Sequence, residues 1–177
     1  TVSRVLAEAS TAVGVLVDRG LLPGQVRKVL VPFHGTADDD AALALAFRMA
    51  RQPQVQVTVL QVAAPPSPKP PASDAKAKPP QTIAVPPELL AQVTIKQVVH
   101  KDPAEAALAE TTVHSVGGYD LVLVGIGSDW GLQQRTFGMS QERFIRRCPS
   151  SLLIVRGAAT APRNAAHSQP AVSTASA

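Results

Sequence analysis

The stretch YDLVLVGIG, Tyr119 to Gly127, constrains this chain more than any other. Its apolar residues are consecutive rather than alternating, so a strand built from it has to be covered on both faces. Strands of that kind sit at the centre of parallel sheets, and parallel neighbours need crossover connections long enough to hold a helix. The flanking sequence supplies them. VRKVLVP (26–32) reads as a short apolar strand, and DDDAALALAFRMARQ (38–52) as the helix after it. In that helix Leu43, Phe47 and Ala50 recur at helical spacing, and the acids stand in the first turn, where the helix dipole favours negative charge.

VQVTVLQV (55–62) alternates and then becomes continuous, as a half-buried strand does. PPELLAQV can make one or two helical turns, and TIKQVVH (94–100) is the next strand. DPAE opens a helix running to about Gly117, with Asp102 as N-cap, Pro103 at the first position and Glu105 closing a capping box. A helix near Ser140–Arg147 and a last strand, SSLLIV, complete the order. Only 3% of the residues are aromatic, so the core is built from Ala, Val and Leu, which suits helix-on-sheet layers. The fold expected over residues 26–157 is α/β, a doubly wound five-stranded parallel sheet.

The beginning of the chain repeats its end. VSRVLAEASTAVGVLV (2–17) has the helix-then-strand layout of QERFIRRCPSSLLIV (141–155), with Arg4 over Arg143, Leu6 over Ile145, Ala9 over Cys148 and Val13–Val15 over Leu152–Ile154. Residues 1–22 therefore read as the end of a preceding, mostly missing half. Residues 12–17 are expected to add antiparallel to the sheet edge at 151–156, because an unpaired edge invites a partner. The first residue is Thr1 rather than Met, in keeping with a piece of a longer protein. AAPPSPKPPASDAKAKPP and its flanks (63–82) read as a disordered Pro-rich loop, and 158–177 as a disordered tail.

Composition excludes several function classes. The single Cys148 rules out an internal disulfide and reads as a small buried hydrophobe. A net charge of +4, with part of it in the Pro-rich loop and tail and no basic and aromatic interleaving, gives no case for nucleic acid. No stretch approaches the roughly 20 apolar residues that cross a bilayer, and no signal peptide opens the chain. No Ser/His/Asp set, metal-ligand spacing or lysine-bearing phosphate loop is present, so neither catalysis nor a metal site is expected.

In doubly wound sheets ligands bind at the carboxyl ends of the strands, where strand order reverses. The loops there are PFHGTADDD and GIGSDWGLQQRTFGMSQER; the second is bounded by glycines and leads into a helix N-terminus, a place for an anion. This order of strand, helix, YDLVLVG, glycine-bounded loop, helix and CPSSLLIV resembles the universal stress protein family, whose fold is Rossmann-like. Its nucleotide-binding members carry Gly, two residues, Gly, nine residues, then Gly followed by Ser or Thr, gripping ATP phosphates and ribose. Laid on this chain, the pattern falls on Gly125, Ser128 in place of the second glycine, Gly138, and Met139 in place of the hydroxyl residue, with Ser140 one position late. The family's first loop, Val-Asp-Gly-Ser, corresponds to Phe33, His34, Gly35 and Thr36, so its acid is gone. The resemblance thus implies a degenerate nucleotide-type site at Phe33, His34, Gly35, Gly125, Ser128, Gly138, Met139 and Ser140, with ATP, AMP or a cyclic dinucleotide as the ligands to try.

A narrower resemblance is carried by VGVLVDRGL followed by VLVPFHGTADDDAALALAFRMA. It is similar to the cytosolic carboxyl-terminal region of monovalent cation/proton antiporters, whose tails resemble tandem stress-protein-like domains. Matches fall at Val13 to Gly20, Val31 to Phe33, Gly35, Asp38, Asp39, Ala42 and Leu43; departures fall at Thr36 and at Asp40–Ala41. The resemblance implies a regulatory domain on the cytoplasmic side of a membrane, attached to the transmembrane part of a K+ or Na+/proton antiporter, forming a homodimer and not an enzyme. The alternative is a free-standing nucleotide-binding universal stress protein. Of the remaining residues, His34 sits where it could sense pH, and Trp130 could cover a base or pin its loop. A helix N-terminus explains Asp38, Asp39 and Asp40 more simply than a metal does. Arg143, Arg146 and Arg147 read as a solvated face or one turned to an acidic partner or lipid.

Overall fold

A computed structural model describes residues 11–22, 24–33, 35, 37–63, 65, 82–113, 118–126 and 139–157. Six strands form one sheet: β1 (Val13–Val17), β2 (Lys28–Phe33), β3 (Gln56–Ala63), β4 (Val93–Val99), β5 (Leu121–Ile126) and β6 (Ser151–Arg156), in the order β1-β6-β5-β2-β3-β4. Helices α1 (Ala37–Ala50), α2 (Pro103–Val113) and α3 (Met139–Arg147) connect them, and a short 3-10 turn, Pro87–Leu89, precedes β4. β2 to β6 are mutually parallel, and β5 lies between β6 and β2, the central place its unbroken apolar run predicts.

Each face of the sheet has its own core. Val29, Val31, Phe33, Val57, Val59, Leu121 and Leu123 point to α1, and Leu30, Leu60, Val122 and Leu152 point to α2 and α3. α1 meets the sheet through Ala42, Ala46 and Ala50, all at most 1% exposed, while Leu43 and Phe47 are only half-buried. The buried stripe is rotated from the one marked by Leu43 and Phe47, because small side chains let the helix axis approach closely and the larger ones then fill the margins.

α2 begins with Asp102 as N-cap, its Oδ1 accepting the Glu105 N–H at 3.4 Å. The reciprocal half of the expected capping box is replaced. The Asp102 N–H donates to His100 Nδ1 at 3.0 Å, and the Glu105 carboxylate turns to Arg143 of α3 at 3.2 Å. The described part of α2 ends at Val113; residues 114–117, the Pro-rich segment over 66–81, the tail from 158, and residues 1–10, where a helix is expected, lie outside the described residues.

Among the described strands β1 alone runs antiparallel to its neighbour. It runs along the outer edge of β6 in the register Val13↔Arg156, Val15↔Ile154, Val17↔Leu152. Val13, Val15 and Val17 thereby join Val124, Ile126, Ile145 and Ile154 in a third apolar cluster.

Candidate functional site

The chain leaves β2 toward β3 and β4 on one side and returns to β5 and β6 on the other, so the switch point lies between β2 and β5. There the ladder is short. β2 and β3 are in register from Lys28↔Gln56 to Phe33↔Gln61, and β5 and β6 from Leu121↔Ser151 to Ile126↔Arg156. β2 and β5 are in register only at Val29↔Leu121 and Leu30↔Val122. Beyond that point their carboxyl halves run on without paired register, at the position where doubly wound sheets place their ligands.

The sequence-predicted residues distribute unevenly about this crevice. Phe33, 3% exposed, packs into the core under α1. Gly35 follows with φ +81°, a left-handed turn that only glycine adopts without strain, and it directs the chain from β2 into α1. Gly125 stands in β5 opposite Val155. Met139 and Ser140 form the first turn of α3, with side chains outside the description. His34, Thr36, Ser128, Trp130 and Gly138 lie outside the described residues. Two charged groups at this end are buried, which their sequence context does not announce. Asp39, 2% exposed, is in the first turn of α1, and Arg156, 7% exposed, ends β6; each is engaged by a partner. Asp39 was hidden among three consecutive aspartates that a helix N-terminus explains equally well.

The opposite end of the sheet is held by Asp18, Arg19 and Gly20, the charged stop after β1. Asp18 Oδ1 accepts the N–H groups of Gly20 (3.0 Å) and Leu21 (2.8 Å), closing a turn in which Gly20 has φ +91°. The Arg19 N–H donates to Ser151 Oγ at 2.9 Å, and its Nη2 donates to the carbonyl of Ile145 in the last turn of α3, at 2.5 Å. The Asp120 carboxylate accepts the N–H groups of Arg27 and Lys28, each at 2.8 Å, fixing the entry to β2. Between β4 and α2, Glu110 accepts from Lys96 Nζ at 2.6 Å and from the Tyr119 hydroxyl at 3.1 Å. Burial, with the Glu110 charge beside it, holds the Tyr119 phenol protonated by raising its pKa, against a hydrogen bond to Thr58 that works the other way. Cys148 is 1% exposed, and burial pushes its thiol pKa up, so it acts as a packed apolar group. Among the described residues no group of three His, Cys, Asp or Glu side chains is placed to hold a metal.

Three comparisons with known proteins bear on this arrangement. The family model described as the universal stress protein family matches residues 25–156. Cation/H(+) antiporter 8 of Arabidopsis thaliana is 46% identical over 65 residues, and Cation/H(+) antiporter 19 of the same plant 41% identical over 68. Each match takes up 34% of this chain and 8% of the antiporter, so the chain spans a small part of the length of the relatives it matches. A universal stress protein from Archaeoglobus fulgidus shares the fold with a TM-score of 0.59, at 16% identity, over 89% of this chain and 54% of that one.

Proposed function

The chain belongs to the universal stress protein family, and from that premise we propose that it is a cytosolic regulatory domain of a monovalent cation/proton antiporter, working beside a second domain of the same kind. The partial matches to two Arabidopsis thaliana antiporters support the whole-protein part of this reading. The observation that carries the tandem arrangement is the register of β1. The repeat lays Val15 over Ile154, and the ladder pairs Val15 with Ile154. Equivalent residues thus face each other at the middle of the ladder, as two copies related by a two-fold axis would. β1 stands where the last strand of a partner domain would stand. A homodimer of this chain therefore has to use a surface other than the β6 edge, which β1 occupies.

The ligand site in this reading is the crevice between the carboxyl halves of β2 and β5. Gly35 and Gly125 allow close backbone approach, and Phe33, His34, Ser128, Gly138, Met139 and Ser140 complete the set. In this reading an adenine nucleotide or cyclic dinucleotide bound in it acts as a signal, not a substrate.

The test has two independent arms. Sequencing the gene upstream of the Thr1 codon should show an open frame continuing through a stress-protein-like half into apolar segments of roughly 20 residues. An initiator Met close upstream would overturn the antiporter reading. Thermal-shift and calorimetric titration of the chain with ATP, AMP and cyclic dinucleotides should raise Tm with one of them, and no shift with any removes the ligand half. An initiator Met together with clear ATP binding would identify the free-standing alternative.

A further inference from the structure

Charge is divided between the two ends of the sheet. Each helix runs back from the carboxyl ends of the strands to the amino ends, so the topology collects distant residues there. Arg48 and Arg51 close α1, Arg146 and Arg147 close α3, Arg27 precedes β2 and Arg19 follows β1, and all six are exposed. Basic residues in a last helical turn complement the dipole, which accounts for Arg48, Arg146 and Arg147. Arg19, on the loop after β1, serves the same helix end by donating to the Ile145 carbonyl, and Arg51 directly follows α1, so the dipole leaves Arg27 unaccounted for. The acids at the same end are largely engaged: Asp18 and Asp120 by backbone N–H groups, and Glu110 by Lys96 and Tyr119, with Glu88 exposed. At the other end Asp39, Asp40, Asp102 and Glu105 balance Lys101, Arg143 and Arg156.

Two large apolar side chains are exposed among these arginines. Leu22 is 56% exposed in the loop between β1 and β2, and Leu90 is 65% exposed just before β4. Both loops join the amino ends of neighbouring strands, as the Gln56 N–H to Arg27 carbonyl and Val57 N–H to Gln92 carbonyl bonds show.

We propose that the amino end of the sheet is a docking surface for a bilayer bearing anionic phospholipids. Guanidinium groups take phosphate oxygens two at a time, and leucines between them enter the boundary between headgroups and acyl chains. The arginines come from separate elements, α1, α3 and the loops after β1 and before β2, which matches a flat array of phosphates better than a single bound peptide. The nucleotide-type crevice lies at the opposite end and faces away from the bilayer. The inference holds whichever whole protein carries the domain.

Flotation of the full chain with phosphatidylcholine vesicles, with and without phosphatidylglycerol, tests it. Binding should be at least about tenfold stronger to the anionic vesicles and should fall with salt. The variant Arg27→Glu/Arg51→Glu/Arg147→Glu should lose it, Leu22→Ala/Leu90→Ala should weaken it, and Lys69→Glu/Lys76→Glu/Lys78→Glu in the Pro-rich loop should leave most of it, each variant keeping the parent Tm. Equal binding to neutral vesicles, or binding lost in the loop variant and kept in the arginine variant, overturns the proposal. So does binding that the leucine variant leaves unaltered, which would mark a general polyanion surface.

Discussion

The Asp18 carboxylate illustrates how a side chain at the surface can specify a turn. The N–H of Leu21, opposed by partial desolvation and helped by the Gly20 N–H and the Ser151 hydroxyl, holds its pKa below the usual 3.8. A depressed carboxylate pKa contributes stability that is fully present above the unfolded value and is lost as pH falls through the folded one. Between neutral pH and about pH 5 Asp18→Asn should therefore follow the parent at a constant offset, and below about pH 4 the two urea-unfolding curves should converge as the parent loses the Asp18 contribution. An offset constant down to pH 2 would show that the turn does not depend on the charge. Cys148 makes the opposite case. Buried and with a raised pKa, it should resist a thiol reagent in the native protein and react at the rate of a free thiol once urea unfolds the chain. At this scale the sequence was partly legible. Asp102 announced itself as an N-cap by the Pro103 after it, whereas the pairing of Glu105 with Arg143 depends on how α2 and α3 lie together, which no local spacing encodes.

Among the elements, the strands could be read because burial on one or both faces writes itself into the period of the sequence. The face of α1 could not be read the same way. The helix is apolar nearly all round, so tertiary packing, not periodicity, selects Ala42, Ala46 and Ala50 for the sheet. The candidate site was legible only as a position, the switch point, since the chemistry of its loops rests on backbone conformations that glycine spacing does not determine. The placement of β1 was legible because it rests on a repeat. Its hold on β6 is a ladder plus the valines of the third cluster. Val15→Asp puts a charge among Ile126, Ile145 and Ile154, and it should release β1 and bare the β6 edge. Light scattering should then show a concentration-dependent dimer where the parent shows none through that edge. A mass unchanged at every concentration would mean that the edge protects itself by other means.

For the molecule as a whole, the two helix layers share the central strands, so β2 belongs to both cores at once. Leu30 is fully buried in it, and Leu30→Ala should cost about 2–5 kcal/mol in urea unfolding. Ile95, 39% exposed on the outer strand β4, should cost less than about 1 kcal/mol when cut to alanine. Comparable losses at the two positions would contradict a core centred on β2 and β5. The antiparallel register of β1 has a mechanical meaning as well. Val13 lies beside Arg156, so the polypeptide enters and leaves the domain at the same point. A tension applied through the flanking segments pulls these two neighbours directly apart. It loads the β1–β6 hydrogen bonds in sequence rather than together, so β1 peels away at low force while the parallel sheet behind β6 carries none of the load.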